Sequence, residues 1–323
     1  MLFLPSRMRR VALLLVVPCV ALSTCARANE RVDDSTRAPA PGVVAAADTD
    51  DFGAALPVDR SFAERVVSLN PTVTEVIFAI GAESRLVGRS VWDEFPPAAQ
   101  VIPAVGNGIR PNIEAVLQLR PTLVILYATA ENRSAADAFA RAGVRTIALR
   151  VDQIDQFITL TRRLGVVLGA VDRAAMVVDS VQRTLARIRE VTRTAHRPSV
   201  AWPLWQQPVM VVGRGSYLDE LIEIAGGHNI FHDLAAPSPP VSLEEIARRN
   251  PDVIVASADS RATMLAKPQW RAVRAVRDGN WITDNPALTG RPSVVLGMAA
   301  TALAHALHPE LAAQLPRPRT IAP

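Results

Sequence analysis

Cysteine is nearly missing from this 323-residue chain: Cys19 and Cys25 are the only two, and both fall within the first 28 residues. The part that folds therefore has neither disulfides nor thiolate metal sites. Histidine is also scarce. Of five, only His228 with His232 and His305 with His308 stand near each other, and both pairs adjoin glycine or proline. They are expected on the surface rather than around a metal. No apolar run crosses a bilayer, since Val11 to Leu22 is twelve residues interrupted by Pro18, against the ~20 that a spanning helix needs. An excess of one charge is lacking as well. Arg7, Arg9, Arg10 and Arg27 lie in the first 28 residues with no acid beside them, and without that segment 31 basic residues face 31 acidic ones. Nucleic-acid binding, which needs net or clustered positive charge, loses its support. Gly213-Arg214-Gly215-Ser216 lacks the rest of a nucleotide fingerprint and is no G-x-S-x-G elbow, and no nucleophile with a matching base is apparent. No catalysis is implied.

Residues 1–28 have the layout of a secretory signal, with a basic start, an apolar stretch and then small residues. Two processing routes fit. Leu22-Ser23-Thr24-Cys25 resembles a bacterial lipobox that would place a lipid on Cys25, while Ala26-Arg27-Ala28 would release a soluble chain beginning at Asn29. Residues 29–62, rich in Ala, Pro and Asp with little periodicity, read as a disordered tether.

The remainder contains one structural unit twice. NIEAVLQLRPTLVIL, Asn112 to Leu126, recurs without a gap 130 residues later as SLEEIARRNPDVIVA, Ser242 to Ala256. Each copy opens on an N-cap candidate, places a Glu two residues on, and runs about two turns to a proline. Each then becomes a β-branched run that reads as a buried parallel strand. EVIFAIGA from Glu75 matches ELIEIAGG from Glu220 at a spacing of 145, so the first copy carries the larger insertion. Two such copies suit two α/β lobes facing each other across a cleft. The lobes are expected at 65–165 and 197–314, joined by a helix over 171–194 that has no Gly or Pro. Val177, Val181, Leu185, Ile188 and Val191 or Thr192 form its apolar stripe. The fold class is thus α/β, two Rossmann-like lobes with parallel sheets joined by one long helix. A single stiff helix should let the cleft change little when filled.

RVVSLNPTVTEVIFAIGA, GNGIRPNIEAVLQLRPTLVIL, the bridging helix, ELIEIAGGHNIF and PVSLEEIARRNPDVIV occur in the order that resembles the helical-backbone (class III) substrate-binding proteins of ABC importers. The likeness covers residues 65 to about 308. Through GRSVWDEFPPAA and AGGHNIF it is strongest toward the cobalamin-binding branch. The resemblance implies an exported monomer, periplasmic or lipid-anchored, with no cofactor. It would bind cobalamin, a ferric siderophore or haem and deliver it to a permease and its ATPase. One departure stands out. Two positions where cobalamin binders commonly set aromatic side chains read here as Gly108 and Ser238.

Ligands of open α/β lobes bind at the carboxyl ends of strands. In the first lobe that rule selects Asn70, Trp92, Asp93, Gly108, Arg110, Tyr127 and Asn132; in the second, Trp205, Arg214, Tyr217, Ser238 and Arg291. Trp92 and Trp205 would stack on a flat macrocycle, and Trp202 should stay in the core. Tyr127 would hydrogen-bond a ligand or ligate haem iron, and the arginines would meet carboxylates. Glu114 and Glu244, at the same place in both copies, match the family's permease-docking glutamates. Each also suits the positive end of its helix, and Ser242 with Glu245 reads as a capping box.

Overall fold

A computed structural model describes residues 49–56 and 63–319. The leader, Cys25 with both processing sites, and the rest of the expected tether lie outside the described residues.

The first lobe is built on β1 (Val66–Leu69), β2 (Leu86–Gly88), β3 (Leu123–Tyr127) and β4 (Arg145–Leu149). All pairings are parallel, in the order β2-β1-β3-β4. Helices α1 (Pro71–Ala79), α2 (Ile113–Gln118), α3 (Ala130–Arg141) and α4 (Ile154–Val167) cover this sheet. Because both faces are covered, β1 and most of β3 are fully buried, as their unbroken apolar runs require. The linking helix α5 spans Val171–Thr192, about 33 Å at 1.5 Å per residue.

The second lobe contains β5 (Ser199–Ala201), a hairpin of β6 (Pro203–Gln206) and β7 (Val209–Val211), then α6 (Tyr217–Ile224), β8 (His228–Asn229), α7 (Leu243–Arg249) and β9 (Val253–Ala256). Helices α8 (Ala258–Leu265) and α9 (Arg274–Arg277), strand β10 (Trp281–Thr283), α10 (Pro286–Thr289) and α11 (Leu296–Leu307) complete it. Its parallel sheet has the order β10-β9-β5-β8. With β5, β8, β9 and β10 taken as the counterparts of β1 to β4, the two sheets have the same strand order. Duplication therefore extends from sequence to topology. The β6-β7 hairpin belongs to the second lobe alone, and the first lobe's longer insertion is the loop carrying Trp92.

The repeated helices agree in detail. Asn112 caps α2 by accepting from Ala115 N at 3.1 Å, and Ser242 caps α7 by accepting from Glu245 N at 3.1 Å. Past each helix one residue turns left-handed just before the proline: Arg120 at φ 46° and Asn250 at φ 48°. Asparagine adopts that conformation more readily than arginine. The expected capping box is not completed, because the Glu245 carboxylate pairs with Arg248 and Arg249 instead.

Along α5 the buried residues are Ala174, Val178, Val181, Leu185, Ile188 and Thr192; Val177 and Val191 are only half-buried, so the stripe is rotated slightly from the one expected. One apolar cluster runs from Val66, Ile77 and Phe157 through Leu185 and Ile188 to Leu221 and Ala300. The lobes thus share a core through the helix. This is the physical reason to treat α5 as a stiff spine.

Three expectations need correction. The last helix begins at Leu296 rather than Ser293. His308 is buried and His305 half-buried, with His305 Nε2 2.8 Å from Pro316 O, so this pair is taken up by packing of the C-terminal segment. The tether also ends earlier than residue 62. Residues 49–56 lie on the first lobe, with the Asp50 carboxylate accepting from Phe52 N (2.9 Å), Ala54 N (2.8 Å) and Ala148 N (2.9 Å). Asp51 N donates to Ala148 O at 2.9 Å, and Arg133 stacks 4.5 Å over the Phe52 ring. β4 is an edge strand, and a strap that satisfies its free backbone groups shields it. Asp50→Ala should cost about 2 kcal/mol, because three backbone donors lose a charged acceptor. Thermal melting should show the loss, and faster amide exchange at Ala148 should locate it.

Candidate functional site

A cavity of about 670 Å³ lies between the lobes. Asn70, Thr72, Tyr127 and Arg150 to Gln153 line it from the first lobe; Gly215 to Tyr217, Pro237 and Gly290 to Pro292 line it from the second. The first-lobe residues follow directly on the carboxyl ends of β1, β3 and β4, where a parallel sheet leaves its loops open. Both tyrosines of the chain are here.

Three contacts hold the lobes together around this space. Thr72 Oγ1 donates to Pro292 O at 3.0 Å, and Gln153 Nε2 donates to Gly215 O at 2.5 Å. Arg291 Nε lies 2.8 Å from Glu75 Oε1, and its Nη2 also bonds that oxygen. Glu75 is buried under α1, and the loss of solvent pushes its carboxyl up from the usual value despite Arg291 and the Ser293 hydroxyl, which favour the charged form. Tyr127 Oη donates to Asp152 Oδ1, and Tyr217 Oη donates to the Thr289 carbonyl. Burial raises both phenols, reinforced by Asp152 for Tyr127 and by Asp284 for Tyr217, so both stay protonated at physiological pH. Arg150 keeps about half of its side chain exposed, with Nη2 on Ala128 O at 3.1 Å and Nε 3.9 Å from Asp152 Oδ2.

Of the expected ligand-binding residues, Tyr127, Tyr217 and Arg291 line this cavity, and Asn70 shows it one edge. Asp93 does not face it. Its carboxylate is fully buried, accepting from Ser90 Oγ and N and from Thr74 Oγ1, and burial raises its pKa. It braces the loop that carries Trp92 instead of meeting a ligand. Asn132 is also buried, donating to Gly108 O at 2.7 Å and Tyr127 O at 2.9 Å, and so ties two strand-end loops together.

Gly108 is buried, and its backbone passes so close to β1 that an added Cβ would lie 2.5 Å from the Leu69 carbonyl oxygen. The same Cβ would stand 3.6 Å from Trp92 Cε3. No aromatic side chain fits at 108 without moving this loop, and the neighbouring space is held by Trp92, which is 45% exposed. Arg110, Arg214 and Trp205 are exposed and are not part of the cavity lining; Trp205 sits on the hairpin opposite Met210, 64% exposed. Ser238 is half-buried beside the lining residue Pro237. Trp202 is in the core, 3% exposed, as its strand position requires.

Sequence reasoning missed Arg150, Asp152 and Gln153. The signal was available, since RTIAL is followed at once by Arg150-Val151-Asp152-Gln153, and the strand-end rule applied to β1 and β3 covers β4 equally. Glu114 and Glu244 stand exposed in the first turns of α2 and α7, and neither makes an ion pair among the described residues.

Two α/β lobes on a shared helical spine, with an open polar and aromatic cavity between them, define a two-lobed ligand-binding protein rather than a nucleotide-binding one. Residues 66–288 match the family model described as periplasmic binding protein, and the chain belongs to that family. A vitamin B12-binding protein of Salmonella paratyphi A is 26% identical over 215 residues, covering 67% of this chain and 80% of that protein. Among solved structures, the apo periplasmic heme-binding protein RhuT from Roseiflexus sp. RS-1 superposes with a TM-score of 0.67 at 27% identity, over 77% of this chain and 99% of that one. The periplasmic vitamin B12-binding protein BtuF of Vibrio cholerae gives a TM-score of 0.65 at 24% identity, over 76% and 96%.

Proposed function

We propose that this protein captures a metal chelate in the interlobe cavity, with cobalamin or another corrinoid as its first ligand, and hands it to the permease and ATPase of an ABC importer. It works outside the cytoplasm, as a monomer that is either free in the periplasm or held at the membrane by a lipid on Cys25. The observation that carries this reading is the cavity itself, at strand ends of the first lobe and between paired loops of the second. The named relatives bind vitamin B12 or heme, and both are flat metal macrocycles. Trp92, packed against Gly108, supplies the stacking surface that position 108 itself cannot carry. Trp92→Ala should therefore weaken capture about tenfold, the worth of one lost aromatic face.

A second reading within the same class, a ferric siderophore or haem, is favoured by Arg150 and Arg291. Each brings a guanidinium to the cavity that suits a ligand carboxylate. The two separate in one experiment: tryptophan quenching of the chain from Asn29 onward, titrated with cyanocobalamin, haemin and ferric siderophores. Saturable quenching by cyanocobalamin supports the corrinoid; silence with it and a response to an iron chelate moves the protein to the second reading.

A further inference from the structure

The hydroxyl protons of both cavity tyrosines are committed within the protein. Tyr127 Oη donates to Asp152, and Tyr217 Oη donates to the Thr289 carbonyl. The Asp152 acceptor is itself fixed, its backbone N–H donating to Gln156 Oε1 at 2.7 Å. A tyrosine ligates iron only after losing its proton. Here burial and the adjacent carboxylate hold the Tyr127 proton in place. The other lining side chains include no histidine, cysteine or methionine, and among the described residues no group of three or more His, Cys, Asp or Glu is arranged around a metal. What the cavity does present is a set of groups suited to the rim of a ligand, the guanidiniums of Arg150 and Arg291 and the side chains of Asn70 and Gln153.

We infer that this cleft selects a chelate whose metal is already coordinatively saturated, recognising its periphery and supplying no axial ligand, because the Tyr127 phenol is committed to Asp152. The inference rests on the chelate-binding reading above and narrows it. Haem, with an axial site to fill, is disfavoured relative to a corrinoid with both axial positions occupied or a hexadentate ferric chelate. Asp152 is the positioning residue, acting on the ligand through Tyr127.

The test titrates the mature wild-type chain, Tyr127→Phe, Asp152→Ala and the double variant with cyanocobalamin, a ferric trihydroxamate and haemin, reading tryptophan quenching and visible absorption together. The wild type should bind a saturated chelate, and haemin should either fail to bind or bind without a tyrosinate-to-iron charge-transfer band. Asp152→Ala should free the phenol and let that band appear with haemin, and the double variant should lose it. A wild-type haemin complex carrying the band, abolished in Tyr127→Phe, would overturn the inference while leaving chelate binding intact. A folded Asp152→Ala protein that binds haemin without the band would overturn the part given to Asp152. Should circular dichroism show that Asp152→Ala is misfolded, the comparison of wild type with Tyr127→Phe decides alone. Silence of the folded wild type toward every probe would instead reject the chelate reading itself.

Discussion

Replacing Arg291 with alanine is expected to cost about 3 kcal/mol of stability at neutral pH, because it strands the buried carboxylate of Glu75 between the lobes. Only 2% of the Glu75 side chain is exposed, and Arg291 gives it two hydrogen bonds across the interlobe boundary. The low end of the range for broken buried pairs is chosen because Arg291 is itself 34% exposed and partly solvated. The dependence on pH has a definite sign. In the folded wild type burial already raises the Glu75 pKa above its model value of 4.5, and removing the cation raises it further. In the variant the native state then holds a proton that the unfolded chain has released, so stability falls as pH rises from 4.5 through the raised folded value. Below 4.5 both states are protonated and the deficit should shrink. Denaturant melts of both proteins from acid to neutral pH would show the gap opening with pH. A constant gap would mean that lost packing rather than the stranded charge is responsible. Adding Glu75→Gln to Arg291→Ala should recover part of the loss, since a neutral amide costs less to bury than a carboxylate.

Changing Glu114 and Glu244 together to alanine should leave chelate affinity and melting temperature nearly unaltered and lower docking to the importer at least tenfold. Both carboxylates are exposed, on first turns that the duplication places equivalently in the two lobes, and neither is tied up in an ion pair among the described residues. Complementary charge contributes to association rate and register, so the loss should be concentrated in the on-rate and should be mimicked in the wild type by added salt. Each glutamate also favours its helix N-terminus, worth a few tenths of a kcal/mol, and that minor term sets the small change expected in stability. Uptake by the cognate importer in proteoliposomes, compared with ligand binding by the same preparations, separates the two effects. Equal uptake by the double variant would sink the docking assignment. A parallel fall in ligand affinity would place the glutamates in the ligand's path instead.

Much of the architecture was legible because duplication and periodicity are properties of the chain itself. The recurrence of Asn112 to Leu126 as Ser242 to Ala256 predicted two equivalent lobes, and the stretch of α5 free of Gly and Pro predicted the spine between them. Strands β3 and β9 followed from β-branched runs after a proline, since only a parallel strand covered on both faces tolerates such continuous apolarity. The site was less legible, for a physical reason. Which residues follow a strand can be read in order, but whether a loop side chain turns outward or inward depends on what it meets. Asp93 turns in because Ser90 and Thr74 supply its donors, and Asn132 turns in because two carbonyls await it. Arg110, Arg214 and Trp205 remain at the periphery, whereas Arg150 and Asp152, equally well placed in sequence, reach the cavity.

The chain alone therefore determined the α/β class, the duplicated lobes, the helical spine, the lack of thiol chemistry and the equivalence of Glu114 and Glu244, all of which rest on composition and spacing. Only the tertiary structure decided that Glu75 and Arg291 meet across 216 positions of sequence, that Asp50 straps the edge of β4, and that the Tyr127 proton belongs to Asp152. Those pairings arise where surfaces distant in sequence close on each other and exclude water, and no local period of the chain encodes them.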